Sequence, residues 1–319
     1  MKTLNRILAF SIISALILGC NSTKEPEWVK AKILAENLES PSALTIDDKF
    51  IYFVTGGHLA SLKAGTSGVW KMPIEGGQPV QLFKGYQKDE KTVFLPDTFV
   101  LATDEKYLYF AAGYIYRIPK NGGEAEQIAA GSPTEMVLDE ENIYWHNYVG
   151  EGMSPTPAYS ISKKGGTVKN LTDSAVIIDI AVDKEFFYWS QPDGIYKTPK
   201  KGGEKITVIT PKSGGRITGM TTDQDSVYFL DNDVLFMIPK VGDALVQMTS
   251  GVNTVHKFFA DDKNIYFVKN EGSFGTSLNK IAKNGGEVTK IDSGYIRSFA
   301  VGKDKIHVSD SSKIYELAK

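Results

Sequence analysis

The residues able to do chemistry are few in this chain: it has four histidines and one cysteine, Cys20. His58, His146 and His256 are imidazoles of the type that could share a metal. They come from distant segments, however, and no spacing brings them together, so no metal or other cofactor is expected. Arg216 and Arg297 could hold an anion bidentately, or could pair with carboxylates such as Glu135 and Asp179 near Lys257. Asp231-Asn232-Asp233 offers calcium-type oxygens, but the same residues favour a tight turn. There is no nucleophile elbow, no metalloprotease helix and no phosphate-cradling loop. The residue types thus favour binding over catalysis. An enzyme of lyase or hydrolase type is the alternative.

The bulk numbers narrow the partners. Lys and Arg number 36 against 38 Asp and Glu, a net charge of −2 with the signs interleaved, so no nucleic-acid footprint is visible. A single cysteine excludes an internal disulfide framework and a thiolate zinc site.

Residues 1–19 read as a targeting segment. Lys2 and Arg6 precede the apolar run Ile7 to Leu18, which is too short to span a membrane as a helix. Ile17-Leu18-Gly19-Cys20 resembles the lipobox of bacterial lipoproteins. The resemblance implies lipidation of Cys20, cleavage before it, and a stable membrane anchor once two or three acyl chains are attached. Residues 20–30 would then be a tether. Asn21 and Ser22 lack the aspartate that retains many lipoproteins at the inner membrane, so the outer membrane is the expected destination.

Positioning elements for any site must come from residues 31–319, where a repeat of about forty residues runs the length of the chain. Each copy has Asp, three residues, an apolar residue, then Tyr and an aromatic. The copies start at Asp47, Asp104, Asp139, Asp183, Asp223 and Asp261; a seventh has Gly302 and Ile306-His307-Val308. A short apolar stretch precedes the Asp turn, the aromatic triplet is a second strand, and a third strand carries a recurring Tyr or Trp. Gly-Gly pairs such as Gly202-Gly203 then lead into a fourth strand. Four strands in each of seven copies predict an all-β, seven-bladed propeller of antiparallel blades.

The seventh copy reaches Lys319 without a fourth strand, whereas Ala31 to Leu38 forms a spare one ahead of Ser40-Pro41. The N-terminal strand is therefore expected to complete blade seven and close the ring. The stretch DKEFFYWSQPDGIYKTPKKGG, Asp183 to Gly203, resembles the YWTD-type propeller repeat of lipoprotein-receptor ectodomains and a related bacterial repeat family. That resemblance implies a fold, not an activity.

In such a ring the connections from second to third strand, and from blade to blade, share the top face. Three of them are long, from Ile51 to Val69, Ile143 to Ala158 and Ile265 to Leu278, as is the blade connection from Gly85 to Pro96. Insertions on one face of a rigid scaffold build a binding surface. The expected ligand face comprises His58, Tyr86, Asp97, Glu135, His146, Tyr148, Asp179, Arg216, His256, Lys257, Phe274 and Arg297. Its expected ligand is an envelope protein or a small molecule.

Overall fold

The computed structural model describes residues 31–56, 67–84, 86–89, 92–94, 100–111, 113–147, 155–211, 215–242, 244–252 and 258–319. They form seven four-stranded antiparallel sheets arranged as a seven-bladed β-propeller. From the innermost strand outward, blade one is Ser42–Ile46, Phe50–Thr55, Gly68–Pro73 and Val80–Lys84. Blade four is Ile180–Val182, Phe186–Gln191, Gly194–Pro199 and Ile206–Ile209. Blade five is Ile217–Thr222, Ser226–Asp231, Val234–Pro239 and Val246–Thr249. Blade six is Phe259–Ala260, Asn264–Asn270, Thr276–Ala282 and Thr289–Gly294. The innermost strands of blades two and three are Leu101–Thr103 and Pro133–Leu138.

Blade seven holds Ser298–Val301, Lys305–Ser309 and Ile314–Ala318, and its outer strand is Lys32–Ala35 from the other end of the ring. Lys32 pairs with Glu316 and Ile33 with Tyr315, antiparallel. Closure through the N-terminal strand is as the spare strand predicts. One element was not anticipated: Tyr86–Asp89 and Thr92–Phe94 form a small hairpin within the long connection from blade one to blade two.

The aromatic triplets explain why the blades stack. Alternate residues of a strand point to opposite faces, so each triplet serves two neighbours. In blade six, Ile265 and Phe267 pack with Tyr228 and Leu235 of blade five, whereas Tyr266 and Val268 pack with Ile306 and Val308 of blade seven. Seven such clusters occupy the seven interfaces, and the closing one joins Leu34 and Ile314 to Ile51 and Phe53. Each fully buried ring contributes about 1.5–3 kcal/mol. The Gly-Gly hairpins are needed where they occur: Gly202 and Gly203 sit at φ of +94° and +149°, and a Cβ on Gly203 would meet Pro199 at 3.1 Å.

Candidate functional site

The repeat aspartates, the most regular polar feature of the sequence, lie on the bottom face. Asp183 Oδ1 accepts the amides of Glu185 and Phe186 at 2.8 and 2.7 Å. Its Oδ2 accepts the Tyr188 hydroxyl at 2.9 Å and the Lys240 ammonium of blade five at 2.6 Å. The same arrangement recurs as Asp47 with Lys120, Asp104 with Lys163, Asp139 with Lys200, Asp223 with Lys283 and Asp261 with Lys319. Every pair links one blade to the next. Burial pushes the Asp183 carboxyl up, but Lys240, the two amides and Tyr188 outweigh it and hold the group below its ordinary range. These carboxylates are fixed, ionised and fully engaged, as suits structural turn residues rather than acid–base pairs.

At the opposite face, the sequence-derived candidates fall into three groups. Cys20, His58, Asp97, Tyr148, His256 and Lys257 lie outside the described residues, and of Tyr86 and Phe274 only the backbone is described. The second group is buried. Glu135, on the innermost strand of blade three, accepts the Ile180 amide of blade four at 2.8 Å through Oε2. Asp179 does the same one blade on, accepting the Met220 amide at 2.8 Å. Ser298 repeats the tie at the closing seam, where its hydroxyl accepts the Leu44 amide at 3.0 Å. These side chains stand four residues before the repeat Asp or its Gly302 counterpart, so one register position serves as an inter-blade tie.

His146 is 4% exposed, against the Thr134 hydroxyl at 3.3 Å and 3.8 Å from Glu135. Glu135 and His146 are thus the two candidate residues brought together. In the third group Arg216 is exposed and Arg297 half-buried. Arg216 and Arg297 directly precede the innermost strands of blades five and seven, and neither forms an ion pair among the described residues. The salt bridges considered for them are not found there. Asp231-Asn232-Asp233 is a turn: Asn232 has φ +52°, and Asp231 Oδ1 accepts the Arg216 amide at 2.8 Å. No cluster of three or more metal-ligating side chains occurs among the described residues.

Among the described residues, open clefts are found on the bottom and on the outer flank. One of about 880 Å³ runs along the bottom between blades three and four, lined by Glu140, Glu141, Lys184, Glu185 and Lys201, and one of about 500 Å³ follows between blades four and five beside Val241. A third, about 670 Å³, opens on the outer flank between blades five and six and is lined by Lys269, Glu271, Asn279 and Lys290. Neither the lysine partners of the repeat aspartates nor this flank cleft was foreseen. Both had a signal: a lysine recurs just after each third strand from blade two onward, and Asn279 interrupts a column of aromatics.

The fold and its seams define a closed seven-bladed β-propeller. No protein-family model matches the chain, and no curated protein matches it. Solved structures do. The extracellular domain of BT4673 from B. thetaiotaomicron is 12% identical with a TM-score of 0.64, covering 91% of this chain and 40% of that one. Oligogalacturonate lyase from Vibrio parahaemolyticus is 13% identical with a TM-score of 0.64, covering 91% and 93%. A puromycin-hydrolyzing peptidase of Mycobacterium tuberculosis is 9% identical with a TM-score of 0.58, covering 91% and 54%. The chain spans less than half the length of the BT4673 chain. Such likenesses show the propeller fold alone.

Proposed function

We propose that the protein is an exported lipoprotein, anchored through Cys20, whose propeller binds an envelope protein or a small molecule on its top face. The observation that carries the reading is the placement of the long connections. The described ends of the two longest, Thr55 and Gly68 and Asn147 and Ala158, lie at one end of their blades, as does the shorter connection from Asn270 to Thr276, where lengthened paired strands take up part of the interval. Variable loops on one face of a rigid ring suit recognition. Glu135 and Asp179 tie their blades to the next through backbone amides, which suits a rigid scaffold for recognition. The lipobox-like segment supports export and anchoring, and Asn21 and Ser22 support the outer membrane.

A second reading, an enzyme of lyase or hydrolase type, is favoured by one contact, the 3.8 Å approach of His146 to Glu135. Its test is His146→Gln in an activity screen on polysaccharide and peptide substrates.

Two experiments test the main reading. Metabolic labelling with a fatty acid should mark the wild type and not Cys20→Ser; label that persists on the variant overturns the anchor. Photo-crosslinking groups at Arg297 and Thr134 on top, and at Lys201 and Val241 below, should capture a partner in native membranes from the top positions. Capture only from below would refute the assignment of the face.

A further inference from the structure

In each blade one third-strand residue stands across from the last residue of the aromatic triplet. The pairs are Phe53 with Trp70, Phe110 with Tyr116, Trp145 with Tyr159, Trp189 with Tyr196, Phe229 with Phe236 and Val308 with Tyr315. In blade six Phe267 faces Asn279 instead. The ring normally found there closes the gap to the preceding blade, as Tyr116 does against Phe83 of blade one at 5.8 Å. Without it the wedge between blades five and six opens into the flank cleft of about 670 Å³.

That cleft carries several polar side chains. Asn279 is 3% exposed, and both hydrogens of its amide are used on Ser277, donated to the carbonyl at 2.9 Å and to the hydroxyl at 2.8 Å. Those two bonds fix which end of the amide is oxygen. Oδ1 has no protein partner among the described residues, and Asn279 lines the cleft. An acceptor at the wall of a cleft that takes no hydrogen bond from the protein can accept one from a ligand hydroxyl. Nearby, Glu271 accepts the Ser277 hydroxyl at 2.6 Å through Oε1 and receives Lys290 at 3.3 Å, which leaves Oε2 available. These contacts hold the Glu271 carboxyl below its ordinary range, so it remains an acceptor. Lys269 adds a donor, and Thr249 and Ser250 on the blade-five side add hydroxyls.

From this geometry we propose that the flank cleft between blades five and six is a binding site for a neutral saccharide. The lining charges cancel, Lys269 and Lys290 against Glu271 and Glu287, which disfavours an ion as occupant. The lining offers both acceptors and donors, as vicinal hydroxyls require, because each hydroxyl donates one bond and accepts others. The volume lies within the range of ordinary small-molecule sites. Asn279 lies on the third strand of blade six rather than in a top-face connection, so Asn279→Tyr tests the cleft separately from the top-face loops.

The test is saturation-transfer NMR on the full chain in a sugar-free detergent, with maltose, cellobiose, lactose and sucrose as probes and a zwitterionic dipeptide as control. Transfer to at least one disaccharide is expected. It should fall at least tenfold in Asn279→Tyr, which restores the missing ring, while the melting temperature holds or rises. Glu271→Gln and Lys269→Met, at the exposed rim, should weaken transfer without unfolding and decide the matter should the Tyr variant not fold. Absence of transfer to every disaccharide, undiminished transfer in the variants, or transfer to the dipeptide alone would overturn the proposal.

Discussion

The Lys240 ammonium of blade five lies 2.6 Å from the carboxylate of Asp183 in blade four, which also accepts the Tyr188 hydroxyl at 2.9 Å. One side chain therefore fixes a turn, orients a core tyrosine and joins two blades. Asp183→Ala removes four hydrogen-bond acceptances and is expected to cost about 2–4 kcal/mol. Lys240→Met leaves the turn intact and should cost about 1 kcal/mol. A urea double-mutant cycle should show coupling of about 1 kcal/mol between them. Strict additivity would mean that the pair does not tie the blades.

The same seams set the pH range. Burial pushes the Asp261 carboxyl up, but Lys319, the Asn264 and Lys263 amides and Tyr266 together bring it down to about 2, and the other five repeat aspartates are lowered as well. A lowered folded value means that the folded state binds protons less readily than the unfolded chain. The stability gained is present above the ordinary value of 3.8 and is lost as pH falls from about 4 to about 2. On the alkaline side burial and Asp261 raise the Tyr266 phenol to about 12 from 10.0, although Asn264 opposes them, and the corresponding tyrosines are raised too. That contribution is full below about pH 10 and is lost as pH rises through the folded value. Urea midpoints should form a plateau between these windows, with the acid limb reduced in Asp261→Asn.

The seventh seam is built differently. Gly302, His307 and Ile74 replace the Asp, Tyr and Lys, and the Ile74 amide donates to Lys49 as the Lys200 amide does to Glu185. His307 is 1% exposed, with neither ring nitrogen hydrogen-bonded, and burial holds its pKa below the ordinary 6.5. Charges gather at the rim instead: Glu316 pairs with Lys305 and Lys32, and both lysines reach Glu75 of blade one. Gly302→Asp alone is expected to destabilise by about 2 kcal/mol, because it puts a carboxylate at a half-buried position crowded by the Lys305 carbonyl and the Ile46 side chain, without the lysine and tyrosine partners of the other seams. Adding His307→Tyr and Ile74→Lys should recover most of that loss. A triple variant no more stable than the sum of its parts would show that this seam cannot hold the triad.

Much of the ring was legible in the sequence because its determinants are local. The Asp turn, the aromatic triplet and the Gly-Gly hairpin each span a few residues, and together they fix strand order and register. The lysine partners were not read because Lys120 meets Asp47 across 73 residues, and only the ring brings the two together. Its loop position in the sequence puts His146 on the ligand face, yet it is buried at the end of a core strand and packed against Thr134. The cleft at Asn279 is a deviation within a column of Trp70, Tyr116, Tyr159, Tyr196, Phe236 and Tyr315; aligning the blades reveals the missing ring, but not that a cavity replaces it.

Every functional reading above depends on a closed rigid ring, and closure depends on Lys32–Ala35 pairing with Ile314–Ala318. Leu34 is buried in the closing cluster, so Leu34→Ala alone should cost about 2–4 kcal/mol. The most direct measurement is thermal melting of a chain lacking residues 31–38, with and without a synthetic peptide of that sequence. Closure by this strand predicts a large drop in melting temperature and a rise in aggregation from the exposed Ile314–Ala318 edge, both reversed when the peptide is added. A melting temperature unchanged by the deletion, or a loss that the peptide does not repair, would contradict it.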